Sequence, residues 1–129
     1  MAGLYSKVIL DHFRNPRNYG SLPEADIVHE DVNPLCGDRI RIELAINRGI
    51  VEAARFKGNG CAISLAAASL LTELIVGAKI DREELISNEE LLSSLESNIK
   101  PARMKCALLP LEVLRSGVEI YKQRQPDKR

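Results

Sequence analysis

From Arg39 the chain alternates strictly. Ile40, Ile42, Leu44 and Ile46 are apolar, and Arg39, Arg41, Glu43 and Ala45 stand between them. A period of two predicts a half-buried strand. The turn signal NRG follows, and IVEAARFKG returns as the hairpin partner. Upstream, IVHEDV reads as a third strand, so the three predict an antiparallel meander. After GNGC the period becomes helical. From Ala62 to Val76 one face carries Ile63, Ala66, Leu70 and Leu74, widened by Ala67 and Leu71, with Gly77 as the stop.

LYSKVILDHF predicts a short amphipathic helix, broken at Pro16 and Gly20. DREELI and SNEELLSSLES predict two short helices, capped by Asp81 and Ser87. In the last segment Leu111, Leu114, Val118 and Tyr121 recur at helical steps. Proline is costly inside a helix and tolerated in its first turn, so Pro110 predicts a helix start at Cys106 or Ala107. The sum is one α+β domain over residues 1–129: a three-stranded antiparallel sheet with helices packed on one face.

Composition narrows the function classes. The 129 residues carry 18 basic and 18 acidic side chains, a formal net charge of zero, which removes the electrostatic argument for nucleic acid or an anionic membrane. No apolar run reaches the length of a membrane span, and the N-terminus lacks a signal-peptide layout, so the expected location is the cytoplasm. The basic end KQRQPDKR reads as a solvated tail. Three cysteines are an odd number, which in a reducing compartment points away from a disulfide framework.

Those cysteines are the candidate chemistry. None belongs to a C-x-x-C pair, so spacing alone says little about metal. Their settings say more. Cys61 opens a helix after Gly58 and Gly60, which permit a tight turn, positive φ included. Cys106 opens the last helix beside Arg103 and Lys105. Helix N-termini and neighbouring cations both favour the thiolate. Cys36 precedes Gly37 in a turn after Pro34. Cysteine is among the most buried residue types, so each alone could be structural. Three at junctions favour a common site.

Asp38 lies two residues from Cys36. If the strand begins at Asp38 or Arg39, its carboxylate reaches the same end of the sheet; otherwise it caps a turn. Three thiolates and a carboxylate suit tetrahedral zinc or an iron–sulfur cluster. His12 and His29 adjoin no cysteine, against a Cys–His nucleophile. Ser64 and Ser69 read as packing or back-bonding residues of the helix.

The order CGD, then GNGCAIS, then KCA, after an opening DHFRNPRNYG, resembles the U-type iron–sulfur scaffold family of IscU, SufU and the NifU N-terminal domain. The resemblance runs from about Tyr5 to Tyr121. It implies a non-enzymatic scaffold that accepts persulfide sulfur from a cysteine desulfurase. It also implies a transient [2Fe–2S] cluster on Cys36, Asp38, Cys61 and Cys106, handed to apo iron–sulfur proteins. Cys106 is then the IscU-type sulfur acceptor and Cys61 the SufU-type one, the latter on a zinc-bound protein with sulfurtransferase-like activity. A third reading is a structural zinc module without cysteine chemistry.

Lys105, where IscU has histidine, leans toward SufU. The short segment Ala78 to Ala102 leans toward IscU. Lysine at pH 7 has no lone pair for a metal, so Lys105 is expected to tune Cys106 or meet a partner. IKPAR stands where IscU carries the LPPVK motif of an Hsp70-type chaperone, with Pro101 and the basic Arg103 retained.

Overall fold

The computed structural model describes residues 5–34, 37–81 and 84–124. The order is α1 (Lys7–Arg14), β1 (Ile27–Val32), β2 (Arg39–Asn47), β3 (Ile50–Asn59), α2 (Ala62–Ile75), α3 (Asn88–Ser94), a 3-10 turn (Pro101–Arg103) and α4 (Met104–Gln123). The strands form the expected antiparallel meander, β1-β2-β3. At the β2–β3 turn Arg48 and Gly49 both take positive φ, 55° and 77°, as a two-residue type I′ connection requires. A register shift beyond Ala45 pairs Ile46 with Val51, a bulge that keeps both on the core face.

The alternation sorts the two faces. Ile27, Ile40, Ile42, Leu44, Val51 and Phe56 are buried, and the helical layer that covers them includes α2 and α4. Arg39 and Arg41 lie on the other face and pair with Glu30, Arg39 at 2.7 Å. Glu43 shares that face yet is buried. Its carboxylate accepts from Arg41 Nε at 2.7 Å and from the Leu22 backbone N–H at 2.8 Å, so its burial leaves no acceptor unserved.

α1 starts later than LYSKVILDHF implied, because Ser6 caps it. The Ser6 hydroxyl accepts from the Ile9 N–H and donates to the Leu95 carbonyl. Ser87 caps α3 as expected and forms a full capping box with Glu90. Leu74, expected on the buried face of α2, is half-exposed beside Val76, and Ile75 is buried instead.

Two helix predictions fail. In DREELI, Arg82 and Glu83 lie outside the described residues, and Glu84 to Ile86 are not helical. Ile80 and Ile86 are both buried, and Ile80 N–H is committed to the Gly49 carbonyl, so the core pins both ends of so short a stretch. α4 begins at Met104, not at Cys106, and Pro110 lies inside it. The 3-10 turn at Pro101–Arg103 supplies the entry, with Pro101 in its first turn where proline costs no backbone bond. Pro110 removes one donor from the helix and is itself buried, so packing of its ring offsets the lost bond. Cys106 stays in the first turn of α4 either way.

α1 docks on α2 through polar contacts. His12 is buried, with Nδ1 2.8 Å from Ser69 Oγ, and Ser69 Oγ also accepts the Arg17 N–H. Burial first, and then the charge of Arg17, push His12 below its ordinary value, against the opposite pull of Glu73 and Asp11. The folded state therefore binds fewer protons here than the unfolded one. This contribution is full above an unfolded pKa of about 6.5 and is lost as pH falls below it. The melting temperature should drop between pH 7.5 and 5.5, and His12→Gln should flatten that slope. An unchanged slope in the variant would show that other groups carry the pH dependence.

Candidate metal centre

Hairpin register builds half of the site. Arg39 pairs with Asn59, so the segment before β2 lies beside the segment after β3. Asp38 shares the parity of Ile40, which turns its side chain to the helix-covered face, where it is buried at 4% exposure. The loop before it is closed by Asn33 N–H donating to the Asp38 carbonyl at 2.8 Å and Gly37 N–H donating to the Asn33 carbonyl at 2.7 Å. Gly37 holds φ at 77°, a conformation that favours glycine.

Cys61 follows β3 and is the N-cap of α2, with no side-chain cap bond of its own. Cys106 is in the first turn of α4 and is 4% exposed. α2 and α4 pack together with their first turns at this end of the sheet. As a result one Asp38 carboxylate oxygen, Cys61 Sγ and Cys106 Sγ all lie within 4.8 Å of one another. Neither cysteine is in a disulfide. Tetrahedral zinc with Zn–S near 2.3 Å separates its ligand atoms by about 3.8 Å, close to this spread. Asp38 Oδ2 is buried without a hydrogen-bond partner, which is costly for a carboxylate unless a cation serves it. The donor set and the orphan oxygen fit a thiophilic metal. Cys36, the fourth expected ligand, lies outside the described residues.

Several details differ from the sequence reading. Neither Gly58 nor Gly60 has positive φ. They are needed for close approach instead. A Cβ on Gly58 would collide with the Arg39 carbonyl. One on Gly60 would stand 2.6 Å from Ser64 Oγ and 2.9 Å from Asp38 Cγ. Arg103, expected to act on Cys106, is influenced first by Cys61. The Cys61 side chain, ahead of Tyr5, raises the Arg103 guanidinium above its ordinary value. Lys105 is exposed and lines a shallow groove with Asp31, Asn33 and Glu112. His12 and His29 take no part in the cluster. Ser64 back-bonds at the helix start as expected, its hydroxyl donating to the Cys61 carbonyl at 3.1 Å, and in addition its oxygen is 3.8 Å from Cys61 Sγ. The C-x-x-S spacing across a helix start was the available signal.

The NifU-like N-terminal domain model matches residues 4–128. The chain belongs to the NifU-like N-terminal domain family. Within that family it is 39% identical to the zinc-dependent sulfurtransferase SufU of Bacillus subtilis, over 89% of each chain. It is 34% identical to the iron–sulfur cluster assembly scaffold protein IscU of Escherichia coli K12, covering 96% of this chain and 98% of that one. The fold superposes on the crystal structure of a NifU-like protein from Brucella abortus with a TM-score of 0.75 at 20% identity, over 96% of this chain and 98% of that one. Among the described residues this NifU-like domain has a three-stranded antiparallel sheet and four α-helices. No helix among the described residues is long and apolar enough to cross a membrane.

Proposed function

We propose that this protein is a scaffold for iron–sulfur cluster assembly. It receives sulfur from a cysteine desulfurase, holds a transient [2Fe–2S] cluster as cargo on Cys36, Asp38, Cys61 and Cys106, and passes it to apo-proteins. The observation that carries this reading is the convergence of Asp38, Cys61 and Cys106 on one point, with a buried carboxylate oxygen left for a cation. Sulfur arrives when a thiolate of the scaffold attacks the terminal sulfur of the donor's persulfide. That S–S bond breaks, the donor cysteine leaves as thiolate, and the transferred sulfur stays as a persulfide on the scaffold. Cys61 is half-buried and Cys106 nearly inaccessible, so Cys61 receives sulfur first and Cys106 later. The whole sequence takes place in the cytoplasm, and the exposed turn Pro101–Arg103 is where an Hsp70-type chaperone would engage.

A second reading is a zinc-dependent sulfur acceptor. The 39% identity to SufU and the accessible Cys61 favour it. The same four residues would hold zinc, which keeps thiolates deprotonated and ordered.

Anaerobic reconstitution with iron, cysteine and a desulfurase, with and without zinc, separates the two. The scaffold reading expects the visible spectrum of a [2Fe–2S] cluster in zinc-free protein. Faster sulfide release from zinc-loaded protein with no cluster in either sample replaces it with the second reading. Asp38 is a hard ligand among soft ones, a weak point suited to release. Asp38→Ala should therefore lengthen the lifetime of a bound cluster, and a cluster lost sooner would refute that role for the carboxylate.

A further inference from the structure

Ser64 is the third residue of α2 and is fully buried. The Cys61 thiol donates to Ser64 Oγ at 3.8 Å, and the Ser64 hydroxyl donates to the Cys61 carbonyl at 3.1 Å. The two bonds form a closed relay around the helix start. A Cβ at position 60 would touch both Ser64 Oγ, at 2.6 Å, and Asp38 Oδ1, at 3.0 Å, so the hydroxyl lies against the cluster. Fully enclosed, it takes its partners from the protein alone.

A sulfur that ligates a metal carries no proton, so with Cys61 as a ligand Ser64 Oγ receives no donor from it. The hydroxyl hydrogen has two acceptors in reach, a neutral carbonyl and a charged sulfur. Bonds to ionised acceptors are roughly twice as strong as neutral ones, so rotation about the Cβ–Oγ bond toward sulfur is favoured. We infer that Ser64 is a positioning residue for Cys61, whose hydroxyl turns from the Cys61 carbonyl to the Cys61 thiolate and holds that thiolate as it exchanges partners. The inference rests on Cys61 being a metal ligand. A hydrogen bond to a ligating sulfur withdraws electron density from it and steadies the leaving thiolate, so the bond both tunes the metal–sulfur interaction and speeds release.

The full chain loaded with cobalt(II), and separately with zinc, tests this in wild type, Ser64→Ala and Ser64→Thr. Ser64→Ala should move the sulfur-to-cobalt charge-transfer band to lower energy. It should also slow zinc release to a chelator by about three- to tenfold. Ser64→Thr keeps the hydroxyl and should return both toward wild type. A role in packing alone would lower the melting temperature while leaving band and release rate unmoved, and that result overturns the inference. If wild type takes up no cobalt at all, the metal-ligand reading of Cys61 falls, and this inference falls with it.

Discussion

Gly60→Ala should weaken zinc binding by about 10–100-fold in a chain that still folds. The effect is large because one methyl group meets two members of the site at once. The new Cβ would lie 2.6 Å from Ser64 Oγ, 2.9 Å from Asp38 Cγ and 3.0 Å from Asp38 Oδ1. Ser64 is wholly buried in the first turn of α2 and has little room to retreat. Asp38 is the freer neighbour, since its Oδ2 has no bond to break. The carboxylate therefore swings away from Cys61 and Cys106, and the three ligand atoms no longer converge. Because Gly60 is outside every strand and helix, the core is untouched and the circular dichroism spectrum should match wild type. Calorimetric titration with zinc checks the affinity. Unchanged affinity in a folded variant would mean that Asp38 is not held against Gly60 as the structure has it.

Phe56→Ala should cost about 3–5 kcal/mol of stability. For a domain of this size that lowers the melting temperature by about 10–20 °C. Phe56 is 1% exposed at the centre of β3, opposite Ile42. Its ring also meets Tyr19 edge to face, with centroids 5.1 Å apart. Its backbone takes up the strap that follows α1, with Phe56 N–H donating to the Asn18 carbonyl and Gly20 N–H donating to the Phe56 carbonyl. Truncation leaves a cavity under α2 and loosens Tyr19, so α1 loses part of its tether to the sheet. Thermal denaturation of the variant reads this directly. A loss below about 1 kcal/mol would show that the site collapses around the smaller side chain.

The strands and the helix start that carries Cys61 were legible in the sequence for simple reasons. Period-two alternation from Arg39 to Ile46 has one burial solution, because a slip of one residue would bury Arg41 and expose Ile42. Asn-Arg-Gly supplied a turn that could take two positive φ values. The backbone around Pro110 and in the DREELI segment departs from the local expectation for reasons that are equally physical. Local rules weigh a proline or a capped acidic run by its own cost, whereas here burial of the Pro110 ring and of Ile80 and Ile86 decided the backbone. The glycines before Cys61 serve close approach and not the positive φ that a glycine by itself suggests. Positive φ can be guessed from a glycine, but a neighbour 3 Å away belongs to another strand or loop.

The same division holds for the site. Sequence determined the donor types, their placement at junctions, and the pairing of the Asp38 end of β2 with the Cys61 end of β3, because a hairpin's register follows from its turn. It could not determine that Cys106, far along the chain, arrives at the same point. That depended on how α4 packs against α2 and β2, a sum of many weak apolar contacts that no local pattern encodes. Only the packed structure leaves Asp38 Oδ2 buried without a partner and brings an Asp38 carboxylate oxygen within 4.8 Å of both cysteine sulfurs. That convergence, made by long-range burial, is what turns three separate residues into a candidate metal centre.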